Sequence, residues 1–156
     1  MIEAVQRQFL SKVAGMDGLD HWDRLKRLHL YSQERRRERY MVLFLWKISE
    51  GLVCGYDVTF TESDRRGRIA IPKPFIRTAP ANVRRAREAS LGVKGCKLFN
   101  ILPDSVRNMR GTSLDSFKRE LDKFLSSIPD QPTIPGLQRA AETNSLIHQI
   151  FMKADT

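Results

Sequence analysis

Apolar positions recur at helical spacing along most of this chain. Ile2, Val5, Phe9 and Val13 predict a first amphipathic helix, interrupted by Gly15 and Gly18. Leu19, Trp22, Leu25 and Leu28 follow at steps of three, with Asp20 placed to cap a second helix. Ser32 is positioned to cap a third, running from about Gln33 to Glu50 and closed by Gly51. Its two halves differ: Gln33 to Arg39 is almost all charge, and Tyr40 to Ile48 is almost all apolar. Met41, Leu45, Ile48 and Leu52 make one stripe, which Tyr40, Leu43 and Phe44 widen beyond the face of a surface helix. That pattern predicts a buried second half, with core packing for Tyr40, propping up an exposed basic first half.

From Cys54 to Lys97 the period changes. Val58, Phe60, Ile69, Ile71, Leu91 and Val93 alternate in short runs bounded by Gly, Pro and charge, which predicts short strands or a small hairpin. Pro72, Pro74 and Pro80 predict a loop over 73–87, within a mobile region of about 53–90. Helical signals return at Lys97 to Leu102, stop at Pro103, and resume for a turn or two from Asp104 to Met109. Thr112 or Ser113 then caps a helix with Leu114, Phe117, Leu121, Phe124 and Leu125 on one face. Pro129, Pro132 and Pro135-Gly136 predict an extended linker, and Leu146, Ile147, Ile150 and Phe151 a last helix near Glu142 to Lys153. The expected fold is mostly α: a small helical domain over 1–128 with a strand pair in its middle, a Pro-rich linker over 129–141, and a C-terminal helix and tail over 142–156.

Composition narrows the class. With 156 residues, 41% of them hydrophobic and 29% charged, the chain can bury a core. Its longest apolar run, Met41 to Trp46, falls far short of the roughly 20 residues a membrane span needs. The N-terminus has no apolar core behind a basic stretch, so no secretory signal is expected. Cys54 and Cys96 make no disulfide framework, which points to a reducing compartment, cytoplasmic or nuclear. With His21, His29 and His148 they show no zinc-ligand spacing, and no metal or other cofactor is expected.

Charge changes the picture more. Lys and Arg number 27 against 18 Asp and Glu, for a net +9. Residues 24–110 hold 20 of the basic and only eight of the acidic residues, so the middle of the chain carries the surplus. Such a field attracts a polyanion. Three arginine-rich runs stand out: Arg35, Arg36, Arg37 and Arg39; Arg65, Arg66 and Arg68; and Arg84, Arg85 and Arg87. The planar guanidinium suits phosphate oxygens and stacks on bases. One such run is ordinarily a solvated face, with Glu34 and Glu38 pairing along the helix; three within one net-positive region favour nucleic acid. Tyr31, Tyr40 and Phe75 lie near these runs.

Catalytic constellations are missing from the sequence. There is no nucleophile elbow, phosphate loop, dinucleotide fingerprint or His-Glu-x-x-His, and no Asp-Asp pair. Asp57, Glu62 and Asp64 lie beside Arg65 and Arg66 and read as a solvated charged loop rather than a magnesium site. His21, next to Trp22, reads as a partly buried surface histidine rather than a base.

The run Leu30-Tyr31-Ser32-Gln33-Glu34-Arg35-Arg36-Arg37-Glu38-Arg39-Tyr40 resembles a segment downstream of the reverse transcriptase palm in non-LTR (LINE-type) retrotransposon polyproteins of the jockey-like group. So do Arg65-Arg66-Gly67-Arg68, Leu98 to Pro103 with Val106-Arg107-Asn108, and Phe117-Lys118 with Leu121 to Leu125. Ile128-Pro129-Asp130, Pro135-Gly136 and Asn144-Ser145-Leu146 complete an ordered set covering most of residues 5–150. The resemblance implies a thumb-proximal, C-terminal piece of an RNA-directed DNA polymerase, without the Asp-Asp palm and so without catalysis by itself. It further implies binding of element RNA or target DNA. The zinc knuckle of some relatives is missing here, and the Gly51 to Tyr56 stretch is shorter than its counterpart, as in a decayed copy. Two other readings are a module docking on the upstream polymerase portion of the same polyprotein and an untasked relic of a degenerate element. No membrane partner is expected.

Overall fold

In the computed structural model the chain is mostly α-helical. Residues 2–55, 67–71, 79–132 and 144–154 are described, with side chains up to 150. The helices are α1 (Ile2–Leu10), α2 (His21–Arg27), α3 (Gln33–Ser49), α4 (Ala81–Glu88), α5 (Cys96–Asn100), α6 (Asp104–Arg107), α7 (Leu114–Ser126) and α8 (Leu146–Ala154), with a π-helical turn at Leu91–Gly95 running into α5. Two compact units result, one of Met1–Arg37 with Ile128–Thr156 and one of Glu38–Ser127. None of the described helices is long and apolar enough to cross a membrane.

Local chemistry sets the helix ends. The Asp20 carboxylate accepts the Asp23 N–H at 2.8 Å, Ser32 Oγ accepts that of Arg35 at 3.1 Å, and Ser113 Oγ that of Ser116 at 3.2 Å. At the end of α3, Gly51 takes φ +70°; its N–H reaches the Ile48 carbonyl and that of Leu52 the Lys47 carbonyl. This is a Schellman closure, with glycine at the position that needs left-handed backbone. The end of α2 has the same closure, Leu30 N–H to the Leu25 carbonyl, but His29 holds the left-handed position at φ 53°.

In the first unit, Leu10, Met16, Leu25, Ile128 and Leu146 are buried. Ile2, Val5 and Phe9, the stripe that predicted α1, are exposed instead. Glu3 ties the helices of this unit together: Oε1 lies 2.9 Å from His21 Nε2, and Oε2 accepts the Gln33 N–H at 2.9 Å. Burial pushes the Glu3 carboxyl up, but the bonds from His21 and Gln33 and the charges of His21 and Arg7 outweigh it, so it sits below its ordinary 4.5.

In the second unit the buried half of α3 supplies Val42, Leu43, Leu45, Trp46 and Ile48. Trp46 stacks on Phe117 of α7, centroids 4.7 Å apart, and donates its indole N–H to the Met109 carbonyl at 3.0 Å. Buried Gly95 lies against α3, where an added Cβ would come within 3.0 Å of Leu45 and of Leu91. Ile69 is buried, and the Asn100 side chain pairs with its backbone at 2.8 Å on both sides, donating to its carbonyl and accepting its N–H.

Several sequence expectations are corrected. Leu91 and Val93 lie in the π-helical turn rather than a strand, because two alternating residues also fit one helical turn. Ile69 makes an isolated bridge and Ile71 lies in irregular backbone, while Val58 and Phe60 fall outside the described residues. The loop expected over 73–87 gives way to helix from Ala81, since Pro80 starts α4, its carbonyl accepting the Arg84 N–H at 3.0 Å. Tyr40 on α3 and Leu52 beyond its end are exposed rather than packed in the core.

Two outcomes follow. A left-handed histidine costs about 1–2 kcal/mol, against about 0.5–1 kcal/mol of chain entropy for glycine. His29→Gly should therefore raise stability by up to about 1 kcal/mol, read as a higher melting temperature. The Glu3 carboxyl binds its proton less readily folded than unfolded, so its contribution is complete above pH 4.5 and lost as pH falls through the lower folded value. Denaturant melts across the acid range should show that loss, and Glu3→Gln should flatten it.

Candidate nucleic-acid interface

The first arginine run does not form one exposed surface. Arg35 has 0% exposure. Its Nη2 donates to the Pro129 carbonyl at 2.9 Å and its Nη1 to that of Ile128 at 3.5 Å, with Asp130 Oδ1 3.9 Å from Nε. Asp130 in turn accepts the Ser32 N–H and hydroxyl, both at 2.7 Å. Asn144 Nδ2 donates to Ser32 Oγ at 3.0 Å and to Asp130 Oδ1 at 3.1 Å. Ser32 thereby caps α3 while its hydroxyl joins a buried network. Pro129 to Gln131, the start of the expected 129–141 linker, take part in these contacts: the Gln131 carbonyl also accepts from Gln149 and its side-chain oxygen from Lys26, while 133–141 lie outside the described residues.

The second unit treats charge the same way. Glu38 is buried, with Lys94 Nζ at 3.2 Å. Arg39 Nε and Nη2 donate to Asp122 Oδ1 and Oδ2 at 2.6 and 2.7 Å, a bidentate pair between α3 and α7. The exposed first half expected for α3 is therefore corrected at Arg35 and Glu38. Spacing cannot show this, because the carboxylates and carbonyls involved lie 83 to 98 positions away.

Other arginines do reach the surface. Arg37 is exposed, 3.9 Å from Glu34, and Arg36 is half-exposed. Arg68 is exposed, next to the Ile69 backbone held by Asn100. Arg84 and Arg85 are exposed and Arg87 half-exposed on α4, a helix with no buried residue. Arg65 and Arg66, with Phe75, Asp57, Glu62 and Asp64, lie outside the described residues. A further arginine, Arg110, which lies outside the three runs, sits beside Gly67, its Nη2 3.7 Å from where a Gly67 Cβ would stand. Arg36 and Arg37 belong to the first unit; Arg39, Arg68, Arg84, Arg85 and Arg87 belong to the second.

The remaining groups with chemical potential are few. Among the described residues no cluster of three or more His, Cys, Asp or Glu could hold a metal. His21 is buried on Glu3 with Trp22 edge-on at 5.0 Å. Cys54 and Cys96 are free thiols, and burial pushes that of Cys96 up.

Burial divides the arginines into two kinds with different mutational signatures. Arg35→Ala takes donors from the Ile128 and Pro129 carbonyls and the counter-charge from beside Asp130, and should cost about 2–4 kcal/mol in a denaturant melt. Arg37→Ala, at an exposed pair, should stay within about 0.5 kcal/mol of the parent. No protein family, curated protein or solved structure matches the chain.

Proposed function

We propose that this chain is a non-catalytic nucleic-acid-binding segment, the C-terminal region of a LINE-type RNA-directed DNA polymerase polyprotein, which grips RNA or target-DNA phosphates through exposed arginines. The observation that carries the reading is α4: none of its residues is buried, and it holds Arg84 and Arg85 out in solvent. A short helix with no core of its own is marginal in water and gains most from a partner surface. Its unit, Glu38–Ser127, has 17 Lys and Arg against 10 Asp and Glu, so the field around α4 favours a polyanion. Arg36, Arg37 and Arg68 are secondary phosphate ligands, while Arg35 and Arg39 serve packing. The retrotransposon origin rests on the ordered sequence resemblance.

A second reading, docking on the polymerase portion, is favoured by the exposed Ile2, Val5 and Phe9 on α1. Salt dependence separates the two. Fluorescence anisotropy of the full chain against an RNA stem-loop and a DNA duplex, from about 50 to 300 mM salt, should show affinity falling steeply for both. The Arg84→Ala, Arg85→Ala double variant should bind every sequence more weakly, with the slope of log affinity on log salt flatter by up to about two. An unchanged slope would remove α4 from the interface. Absence of binding at low salt by a folded chain would leave the docking reading.

A further inference from the structure

Over residues 81–89, α4 and its C-cap Ala89, only Arg87 is partly covered and the rest are exposed. Arg87 is also engaged within the structure, whereas no hydrogen bond or ion pair among the described residues involves the side chains of Asn82, Arg84 or Arg85. Arg87 therefore marks the inner side of the helix. At about 100° per residue, Arg85, Ala89 and Asn82 lie opposite it, with Ala86 and Glu88 at the edges of that outer face and Arg84 on the flank. A face that only neutralised phosphates would carry cations throughout. This one offers a guanidinium, a carboxamide and short alanines, which are the groups that pair with guanine, pair with adenine and touch the thymine methyl. Glu88 at the edge suits the amino group of cytosine.

Charge, side-chain type and width together select the occupant. The Glu38–Ser127 unit, with 17 basic against 10 acidic residues, favours a polyanion. The outer face of α4 has no large apolar side chain to anchor it in a protein groove, and no ring on which a single strand would stack. An α-helix about 10–12 Å across fits the B-DNA major groove, about 12 Å wide, when nothing else covers it. A-form RNA hides its base edges in a groove too deep and narrow for such an entry. Asn82 and Arg85 are separated by a rise of about 4.5 Å, close to the base-pair step of about 3.4 Å, so they reach neighbouring pairs. We propose that α4 is a base-reading helix for the major groove of duplex DNA, with Arg85 and Asn82 on base edges, Ala86 and Ala89 against thymine methyls, and Arg84 on the phosphates. This rests on the nucleic-acid reading above and names its polymer as duplex DNA read by sequence.

The test begins with the full chain and a pool of random-sequence DNA duplexes, selected through rounds of binding at low salt. A motif of about three or four adjacent base pairs should emerge, the reach of a helix about 12 Å long. The selected duplex, a scrambled duplex and a blunt RNA duplex are then compared by anisotropy. Arg85→Lys keeps the charge but loses the fork, and should weaken the selected duplex about fivefold or more. Scrambled-duplex affinity, salt slope and melting temperature should not change. Asn82→Ala should act the same way and, on repeated selection, relax a different base pair of the motif. Arg84→Ala should instead weaken both DNA duplexes alike and flatten the salt slope by about one. Base reading by α4 is overturned, with phosphate binding left standing, if no motif emerges or if the motif is indifferent to both Arg85→Lys and Asn82→Ala. Equal loss of selected and scrambled duplex in Arg85→Lys, or RNA duplex bound as tightly as selected DNA, has the same consequence. If neither DNA nor RNA binds, the nucleic-acid reading itself fails, and base reading with it.

Discussion

A guanidinium taken out of water needs carbonyls for its donors and a counter-charge close by, and the start of α3 brings one inside at Arg35, with no exposed surface, two of its nitrogens on carbonyls and its Nε 3.9 Å from Asp130. Much of the first unit's polar architecture follows from that requirement. The Ile128 and Pro129 carbonyls have to lie within reach, which brings the chain after α7 against the α3 N-terminus. Asp130 has to sit near the charge, and it is held there by Ser32 and Asn144 rather than by Arg35 alone. One residue, Ser32, thus joins a local event, helix capping, to contacts 98 and 112 positions away. Replacing the set with apolar residues would leave the cap without its anchor.

The same demand recurs in the Glu38–Ser127 unit with different partners. Glu38 is met by Lys94 of the π-helical turn and Arg39 by Asp122 of α7. The turn that delivers Lys94 also places Gly95 against Leu45, so charge pairing and close backbone approach are solved within two residues. Asn100 works in the same unit through its side-chain amide, which gives the Ile69 backbone both a donor and an acceptor.

What could be read from the sequence was what local chemistry decides. Asp20, Ser32 and Ser113 as caps, Gly51 as a stop, and the buried Phe117, Leu121 and Leu125 of α7 all follow from neighbours within a few positions. Two kinds of feature escaped. Pro80 is equally compatible with breaking a loop and starting a helix, and Leu91 with Val93 fits either period, so short segments were misread. Long-range pairing escaped for a different reason: nothing at Arg35 or Arg39 marks Asp130 or Asp122 as its partner. On α3 the apolar positions fill more than one face, so periodicity alone does not reveal that Tyr40 turns outward.

Counting arginines in the sequence therefore overstates the surface field, and the correction is graded rather than all-or-none. Arg37, beside Glu34 at 3.9 Å and well exposed, can exchange that partner for a phosphate at little cost. Arg35 cannot, because leaving would take donors from the Ile128 and Pro129 carbonyls and the counter-charge from Asp130 at once. Arg39 lies between them: its pair is bidentate and short, yet the Asp122 side chain is 37% exposed and water can take up part of what the guanidinium releases. Phosphate and Asp122 compete for the same planar fork, so any contribution of Arg39 to binding is a difference between two charge-assisted pairs of similar strength. Under the proposed nucleic-acid reading, phosphate contact then falls mainly to side chains that packing has left in solvent, which moves its weight from the longest arginine run to the shorter one on α4.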